Sequence, residues 1–249
     1  MYAVLSPAKK LVTPTSLYAN TEPRFAADTK VLVDVMQTKS PLDLQALMGI
    51  SESLSILNAD RYETFGENRT PSALTFAGDT YQGLDANSLK PDDLEYAQEH
   101  LGILSGLYGL LRPLDSISPY RLEMGTKLAT DRGKNLYAFW GTQITQAIEA
   151  HLHSSESSAL VNLASKEYFS VVQPKGISVP VITPVFKDVR KGVPKVISFL
   201  AKRARGMMAR YIVEKRLKNP ESLTLFDSSG YRYDPSTSTA TTPVFIREE

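Results

Sequence analysis

A dense cluster of basic residues lies late in the chain, in the segment AKRARGMMARYIVEKR from Ala201 to Arg216. It holds six Lys or Arg residues and a single acidic residue, Glu214. The stretch from Lys202 to Arg216 therefore carries a net charge of +5, whereas the whole chain carries +1, which leaves −4 for the remainder. Because the positive charge is local, it indicates a surface patch that attracts a polyanion.

The basic segment has helical periodicity, and we predict a helix from about Arg203 to Lys218. Lys202, Arg203 and Arg205 then lie at the helix start, where the macrodipole favours an anion. Gly206 weakens a helix by roughly 1 kcal/mol relative to Ala, which suggests that something approaches the backbone closely there. A phosphate-bearing partner fits these features, and an amphipathic surface helix with solvated charges is the alternative.

A glycine-containing apolar stretch, LGILSGLYGLLRP, occupies positions 101–113. We interpret it as two helical pieces joined by a hairpin at Gly106 and Gly109, whose backbone N–H groups bind a DNA phosphate, with Arg112 beside them. The alternative is a glycine cap and tight turn between two core elements.

A third polar stretch, from Asn162 to Phe169, places Asn, Ser, Lys, Glu and Tyr after a predicted strand. Those residue types suit general acid–base work near a nucleobase or sugar. The simpler interpretation is that Ser165 caps a helix, Glu167 complements its dipole, and Tyr168 and Phe169 are core.

Other kinds of chemistry find little support in the composition. The chain has no cysteine, which excludes disulfides, thiolate catalysis and Cys-ligated zinc or iron–sulfur centres. Its three histidines lie in a helix and near a loop, and we predict no metal site and no cofactor. No phosphate-binding P-loop, Rossmann fingerprint or serine-nucleophile elbow is present.

The elements that must position these residues are predicted from hydrophobic periodicity and turn signals. A buried strand at Tyr2–Leu5 feeds a loop that carries Lys9 and Lys10. Capped helices are expected after Ser40, Ser51 and Asn135. The remaining predictions are a strand at Ala73–Phe76, a loop at Gly78–Gly83, a helix from Pro91 through Leu104, strands at Tyr120–Met124 and Val161–Leu163, a hairpin around Val189–Gly192, and two closing strands in GYRYD and VFIRE.

The predicted elements and the composition indicate one domain. The chain has 249 residues, of which 42% are hydrophobic and 22% charged, as in ordinary globular proteins. No composition shift or internal repeat divides it, so we predict a single α+β domain over residues 1–249 with a mixed or antiparallel sheet. No apolar run approaches the roughly 20 residues that span a bilayer, and no secretory signal precedes the first strand, so a cytoplasmic setting is expected.

Several long motifs, in order along the chain, resemble the bacterial peroxide stress protein YaaA family. They are SPAK at 6–9, GDTYQGL at 78–84, LSGLYGLLRPLD at 104–115, PYRLEMG at 119–125, NLASKEYF at 162–169 and KRARG at 202–206. The chain departs from the family at Lys10, where Thr is usual, and at Arg203, where Lys is common. Both departures keep or add positive charge. The Lys10 departure leaves open whether a hydroxyl at that position matters.

The resemblance implies a cytoplasmic protein that contains a helix-hairpin-helix element and binds duplex DNA through a positively charged cleft. It also implies protection against hydrogen peroxide, partly by lowering available iron. We therefore expect a monomeric DNA-binding stress protein that associates with no membrane and contacts mainly the phosphate backbone. The expected DNA-binding residues are Lys9, Lys10, Gly106, Gly109, Arg112, Lys166, Lys202, Arg203, Arg205 and Arg210.

Two other functions stay open at this point. The first is an enzyme acting on a nucleobase or nucleotide, with glycosylase-like or lyase chemistry in a pocket lined by Asn162, Glu167 and Tyr168. The second is an iron-binding or protein-interaction module.

Overall fold

The computed structural model describes residues 1–14 and 21–248, which form helices and mixed sheets. The helices are α1 (Ala26–Gln37), α2 (Pro41–Met48), α3 (Glu52–Glu63), α4 (Ser72–Thr75), α5 (Asp79–Leu84), α6 (Pro91–His100), α7 (Leu136–Trp140), α8 (Gln143–Ser154), α9 (Lys166–Phe169) and α10 (Ser198–Glu214). The strands are β1 (Tyr2–Leu5), β2 (Thr70–Pro71), β3 (Leu101–Ser105), β4 (Gly109–Leu111), β5 (Ser116–Ile117), β6 (Leu160–Asn162), β7 (Val181–Ile182), β8 (Val185–Arg190), β9 (Val193–Lys195), β10 (Tyr231–Tyr233) and β11 (Val244–Arg247).

The central sheet has the strand order β4-β3-β1-β6-β7. β1 pairs in parallel with both β3 and β6, β6 pairs in parallel with β7, and only β4 runs antiparallel to its neighbour. All four residues of β1 are buried, as expected for an apolar strand inside a largely parallel sheet that is covered on both faces. The predicted α+β class with a mixed sheet is confirmed.

A second sheet, of order β10-β11-β8-β9, is built from the C-terminal third of the chain. β8 and β9 form the predicted hairpin, and its turn residues Lys191 and Gly192 both have positive φ, at 53° and 73°. Positive φ at both turn positions matches the right-handed twist of the strands. β11 pairs in parallel with β8 and antiparallel with β10, so the two predicted closing strands are also confirmed.

Local capping signals place the helices correctly. The Oγ of Ser40 accepts the N–H of Asp43, and the backbone N–H of Ser40 donates to the Asp43 carboxylate, which together make a capping box. The Oγ of Ser51 accepts the N–H of Leu54. Asn135 and Ser165 cap α7 and α9 in the same way. α2 and α3 form a helical hairpin whose connection contains Gly49 in the left-handed conformation, with φ of 60°.

The helix-hairpin-helix prediction for residues 101–113 is wrong. The segment is an antiparallel hairpin of β3 and β4, and the helix that begins at Pro91 ends at His100. An uninterrupted apolar run is compatible with a buried strand or a buried helix, and here pairing with β1 selects the strand. Gly106 is required because a Cβ there would lie 2.3 Å from the carbonyl oxygen of Leu122.

Two shorter predictions also fail because tertiary contacts decide the local conformation. Residues 73–75 of the predicted strand fall in α4, whose first N–H groups bond to the carbonyls of Asp115 and Pro113 rather than to a neighbouring strand. The predicted loop at 78–83 is mostly helix α5, and no strand forms over Tyr120–Met124.

The basic helix begins earlier than its sequence indicates. α10 starts at Ser198, five residues before the predicted start at Arg203, and ends at Glu214. Lys202 and Arg205 therefore lie beyond the first turn, where the macrodipole no longer carries the argument for an anion. Any anion-binding role must rest on the surroundings of these side chains.

Candidate functional site

A cavity of about 400 Å³ opens at the edge of the central sheet where β1 and β6 end. Because these adjacent strands are parallel, the loops that follow them meet at one edge, the usual place for ligand sites in such sheets. The walls are completed by the start of α5, by residues 120–123 and by one side of α10. The lining residues are Ser6, Pro7, Ala8, Lys9, Lys10, Gly78, Asp79, Thr80, Tyr120, Arg121, Leu122, Glu123, Leu163, Ser165, Glu167, Tyr168, Lys202 and Arg205.

Hydrogen bonds fix the loop after β1 to its neighbours. The Oγ of Ser6 accepts the N–H of Ser165 at 2.8 Å, and the hydroxyl of Tyr81 donates to the carbonyl of Ser6 at 3.0 Å. These bonds join β1, α9 and α5 at one point. The cavity wall is therefore preorganised by the backbone of Ser6 and its neighbours.

Buried aromatic and aliphatic side chains form the floor of the cavity: Tyr120, Leu122, Leu163 and Tyr168. The hydroxyl of Tyr120 is 2.7 Å from the Oγ of Ser105, which orients the ring. Burial raises the pKa of both Tyr120 and Tyr168 far above the ordinary tyrosine value, because the phenolate loses its hydration. Both phenols are therefore neutral hydrogen-bonding groups near pH 7.

The lining contains five basic and three acidic side chains, an excess of two positive charges. Glu123 is shared by Lys9 at 3.2 Å and Arg121 at 2.9 Å, so its charge is already balanced. Glu167 lies in the first turn of α9, and its Oε1 accepts the N–H of Gly125 at 3.0 Å. The two cations around Glu123 leave one positive charge, and the other charged lining residues leave a second.

Lys10, Lys202 and Arg205 are the three remaining basic side chains of the lining. Within residues 1–14 and 21–248, none of these side chains has a hydrogen bond or an ion pair. Arg205 is half-buried, and burial lowers the pKa of its guanidinium because water is partly excluded around the charge. A half-buried guanidinium without a counter-charge favours the binding of an anion or of acceptor atoms.

Two glycines set the position of Arg205 against the adjoining helix α5. A Cβ at Gly206 would lie 1.8 Å from the carbonyl oxygen of Thr80, and a Cβ at Gly83 would lie 2.0 Å from that of Arg203. α5 and α10 thus pack backbone to backbone. The element that approaches Gly206 is helix α5, which replaces the interpretation of Gly206 as a sign of bound phosphate.

Four of the ten predicted binding residues line the cavity together: Lys9, Lys10, Lys202 and Arg205. Lys166 is exposed between two lining residues, Ser165 and Glu167, and Arg203 is exposed on α10 outside the lining. The predicted pocket for an enzyme contains Glu167 and Tyr168, whereas Asn162 is absent from the lining.

The other four predicted residues make contacts inside the protein. Arg112 donates to buried Asp115 through Nε at 3.1 Å and Nη2 at 2.9 Å. Arg210 donates to Glu214 at 2.8 Å and to the carbonyl of Asp85 at 2.9 Å. Gly106 and Gly109 are buried at the turn between β3 and β4, where Trp140 donates its indole N–H to the Gly106 carbonyl.

Sequence reasoning missed several lining residues, including Asp79, Tyr120, Arg121 and Glu123. They belong to the motifs GDTYQGL and PYRLEMG, which were used only to support a family resemblance. The long separation of these motifs from the basic segment concealed their shared position. Only the packing of α5 and the 120–123 segment around β1 brings them together.

Two kinds of feature are absent from residues 1–14 and 21–248. No helix there is long and apolar enough to cross a membrane. The same residues contain no group of three or more His, Asp or Glu side chains arranged to hold a metal ion.

Comparisons with known proteins extend over nearly all of the chain. A family model described as "Peroxide stress protein YaaA" matches residues 1–237. A UPF0246 protein of Aliivibrio fischeri (strain MJ11) is 50% identical over 256 aligned positions, which cover 100% of this chain and 99% of that protein. A UPF0246 protein of Burkholderia mallei (strain SAVP1) is 52% identical and covers 99% of this chain and 98% of its own length. One from Dinoroseobacter shibae is 50% identical, covering 99% and 95%.

Proposed function

Because the chain belongs to the peroxide stress protein YaaA family, we propose that it protects DNA from hydrogen peroxide by binding the duplex through its basic cavity rim. The observation that carries the proposal is the set of positive charges on Lys10, Lys202 and Arg205 at one opening, which have no partner among residues 1–14 and 21–248. Their convergence from separate elements, the loop after β1 and α10, gives a polyanion several contacts at once.

Backbone phosphates are the groups that this rim suits best. Lys9, Lys10 and Lys202 are exposed at the opening, with Lys166 and Arg203 exposed nearby, and ammonium groups on flexible stems contact phosphate as point charges. Such contacts position a protein on DNA without reading its sequence. Binding is therefore expected to be similar for unrelated duplexes. Arg112, Arg210, Gly106 and Gly109 are left out of the proposed interface because their polar groups or surroundings are used inside the protein.

The same contacts give a physical route to limiting iron-dependent damage. Lysine and arginine side chains that neutralise phosphates release condensed cations from the duplex. Ferrous ions held at phosphates are among the cations that this exchange removes, and peroxide then meets less iron at the DNA. The proposal places this activity in the cytoplasm and assigns it to a monomer.

The salt dependence of binding tests the interface. The parent chain is titrated onto two unrelated duplexes at several salt concentrations, and log affinity is plotted against log salt. Replacing Lys10 and Lys202 together with Ala is expected to reduce the slope by about two, since each phosphate contact contributes roughly 0.9. Lys215→Ala, which removes one exposed charge at the far end of α10, serves as the control. An unchanged slope in the double variant contradicts the proposed interface.

A second candidate function is favoured by the buried floor of the cavity. Glu167 and the buried Tyr168 both line the cavity. An enzyme acting on a nucleobase or nucleotide needs such a pocket, whereas a surface that contacts only phosphates does not. Glycosylase-like or lyase chemistry predicts that Glu167→Gln stops turnover but keeps DNA binding. Absence of base release and strand scission by the parent chain, on duplexes with oxidised bases, would exclude this candidate.

A further inference from the structure

The cavity separates its charged groups from its apolar groups by depth. The lysines at its opening are exposed, whereas Tyr120, Leu163 and Tyr168 at its floor are buried. Backbone phosphates on the outside of a duplex reach the opening only. The floor therefore suits a flat, partly apolar group that enters the cavity while its charged end stays at the opening.

The size of the cavity agrees with such a ligand. Its volume of about 400 Å³ lies within the range of pockets that hold small organic molecules, roughly 300–1,000 Å³. Pockets of this class combine apolar walls with a few polar groups that fix the orientation of the ligand. A phosphate group alone leaves most of this volume empty.

Two polar side chains line this volume on the adjoining helices α10 and α5. Arg205 lies on α10 and Asp79 at the start of α5, and in the described part of the chain neither side chain has a hydrogen bond or ion pair. Arg205 presents five N–H donors, while ionised Asp79 only accepts. The edge of a nucleobase carries both acceptors and N–H donors, so one donor group and one acceptor group can bind it together.

We propose that this cavity receives one nucleotide extruded from the bound duplex. The base contacts the floor at Tyr120 and Tyr168, Arg205 and Asp79 bind its polar edge, and the flanking phosphates stay at the lysines of the opening. This inference rests on the proposed DNA binding and adds the ligand class of the cavity. It requires no chemical step, because extrusion costs only unstacking and unpairing, which are least for a mismatched or damaged base.

The test uses the full chain and a duplex with 2-aminopurine at a central mismatch. The fluorescence of this base is quenched in the stack and rises when it leaves the stack. Anisotropy of a distant label measures DNA binding in the same samples. The expected result is a several-fold rise in 2-aminopurine fluorescence with the parent chain at saturation, and a larger rise at the mismatch than at a paired position.

Variants assign the effect to the cavity. Arg205→Ala is expected to remove most of the rise at saturating protein, and Arg205→Lys, which keeps the charge but loses the planar set of donors, to remove part of it. Lys215→Ala is the matched control and is expected to give the parent rise. Thermal unfolding confirms that each variant is folded, and Asp79→Asn gives a second variant, at the start of α5, with a reduced rise expected.

The outcomes separate the two proposals. Full DNA binding without a fluorescence rise overturns nucleotide extrusion and leaves the phosphate interface standing. Absence of DNA binding overturns both. Binding of free deoxyadenosine monophosphate in the cavity, without any rise from the duplex, assigns the cavity to a soluble nucleotide and also overturns extrusion. An equal rise with the parent and Arg205→Ala overturns the assignment to this cavity.

Discussion

Basic residues at the two ends of α10 differ in whether the protein supplies bonding partners for their side chains. In the first half, Lys202 and Arg205 face the cavity, and within residues 1–14 and 21–248 their side chains have no partner. Toward the other end, Arg210 bonds to Glu214 and to carbonyls after α5, and Arg216 forms an ion pair with Asp93 at 2.8 Å. Arg216 also stacks on Tyr96, with 4.3 Å between the guanidinium carbon and the ring centre.

The difference shows that charge density alone does not identify a binding surface. A basic residue whose donors are already used by the protein joins elements of the fold, and one without partners is available to a ligand. Arg210 and Arg216 lie within bonding distance of Glu214, of carbonyls at the end of α5 and of Asp93 on α6. In the described part of the chain Lys202 and Arg205 bond to no such group, although Asp79 and Glu167 line the same cavity.

The largest expected effect comes from the contact that supports both halves. A Cβ at position 206 would lie only 1.8 Å from the carbonyl oxygen of Thr80, so Gly206→Val forces α5 away from α10. α5 provides the cavity wall at Asp79 and the carbonyls that hold Arg210. We expect a loss of more than about 3 kcal/mol in the free energy of unfolding, measured by urea denaturation.

Gly192→Ala is the matched control for this substitution. Gly192 has a φ of 73° but open space around its Cβ position, so only backbone strain is added. A loss of about 1 kcal/mol is expected. Equal losses at Gly192 and Gly206 would show that the helix contact is not tight.

An intermediate effect tests the comparison directly. Arg210→Ala removes hydrogen bonds to Glu214, Asp85 and Ser88 and is expected to cost about 1–2 kcal/mol of stability. Arg205→Ala removes a partly desolvated charge that has no partner in the described part of the chain, and it is expected to change stability by less than about 0.5 kcal/mol. DNA affinity is expected to follow the opposite order, with the greater loss for Arg205→Ala. If both variants lose the same stability and the same affinity, the two halves do not differ.

The smallest expected effect concerns pH at the end of α6. The ring of Tyr96, on which Arg216 stacks, also stacks on His100 at 3.8 Å. Burial is the main cause that lowers the pKa of His100 below its ordinary value of 6.5, and the positive charges of the N-terminal amine and His151 lower it further. The hydrogen bond to the Met1 carbonyl and the negative charge of Glu99 act in the opposite direction. The unfolded chain therefore binds a proton more readily, and stability falls as the pH drops below about 6.5.

His100→Gln is expected to reduce this loss on acidification. The fall in thermal midpoint from pH 7 to pH 5.5 is expected to be smaller in this variant than in the parent chain, by less than about 3 °C, as measured by circular dichroism. His153→Gln replaces an exposed histidine on α8 and is the control. The same acid sensitivity in all three proteins would contradict a role for His100.

Features that depend on a few neighbouring residues were predictable from the sequence. The caps at Ser40 and Ser51 and the hairpin turn at Lys191-Gly192 are examples, because side-chain caps and positive φ act within one turn. Leu101–Ser105 was mistaken for helix because the choice between strand and helix depends on pairing with β1, a hundred positions away. Local signals carry no information about such partners.

The candidate site was predictable only in part, for the same reason. Lys9 and Lys10 could be assigned to the loop after the first strand, and Lys202 and Arg205 to a basic helix. Arg112 looked equally available in the sequence, but it lies beside buried Asp115, which its guanidinium and backbone N–H both bind. The spacing of residues along the sequence does not show whether an arginine side chain is hydrogen-bonded inside the fold or open to a ligand.

The position of β1 between β3 and β6 has a consequence for synthesis on the ribosome. Tyr2–Leu5 emerges first, but its second partner, Leu160–Asn162, follows more than 150 positions later. At bacterial elongation rates of roughly 5–20 residues per second, the wait is about 8–30 seconds. Throughout this time the apolar strand lacks its pairing with β6, and slower translation lengthens the exposure of that edge to aggregation.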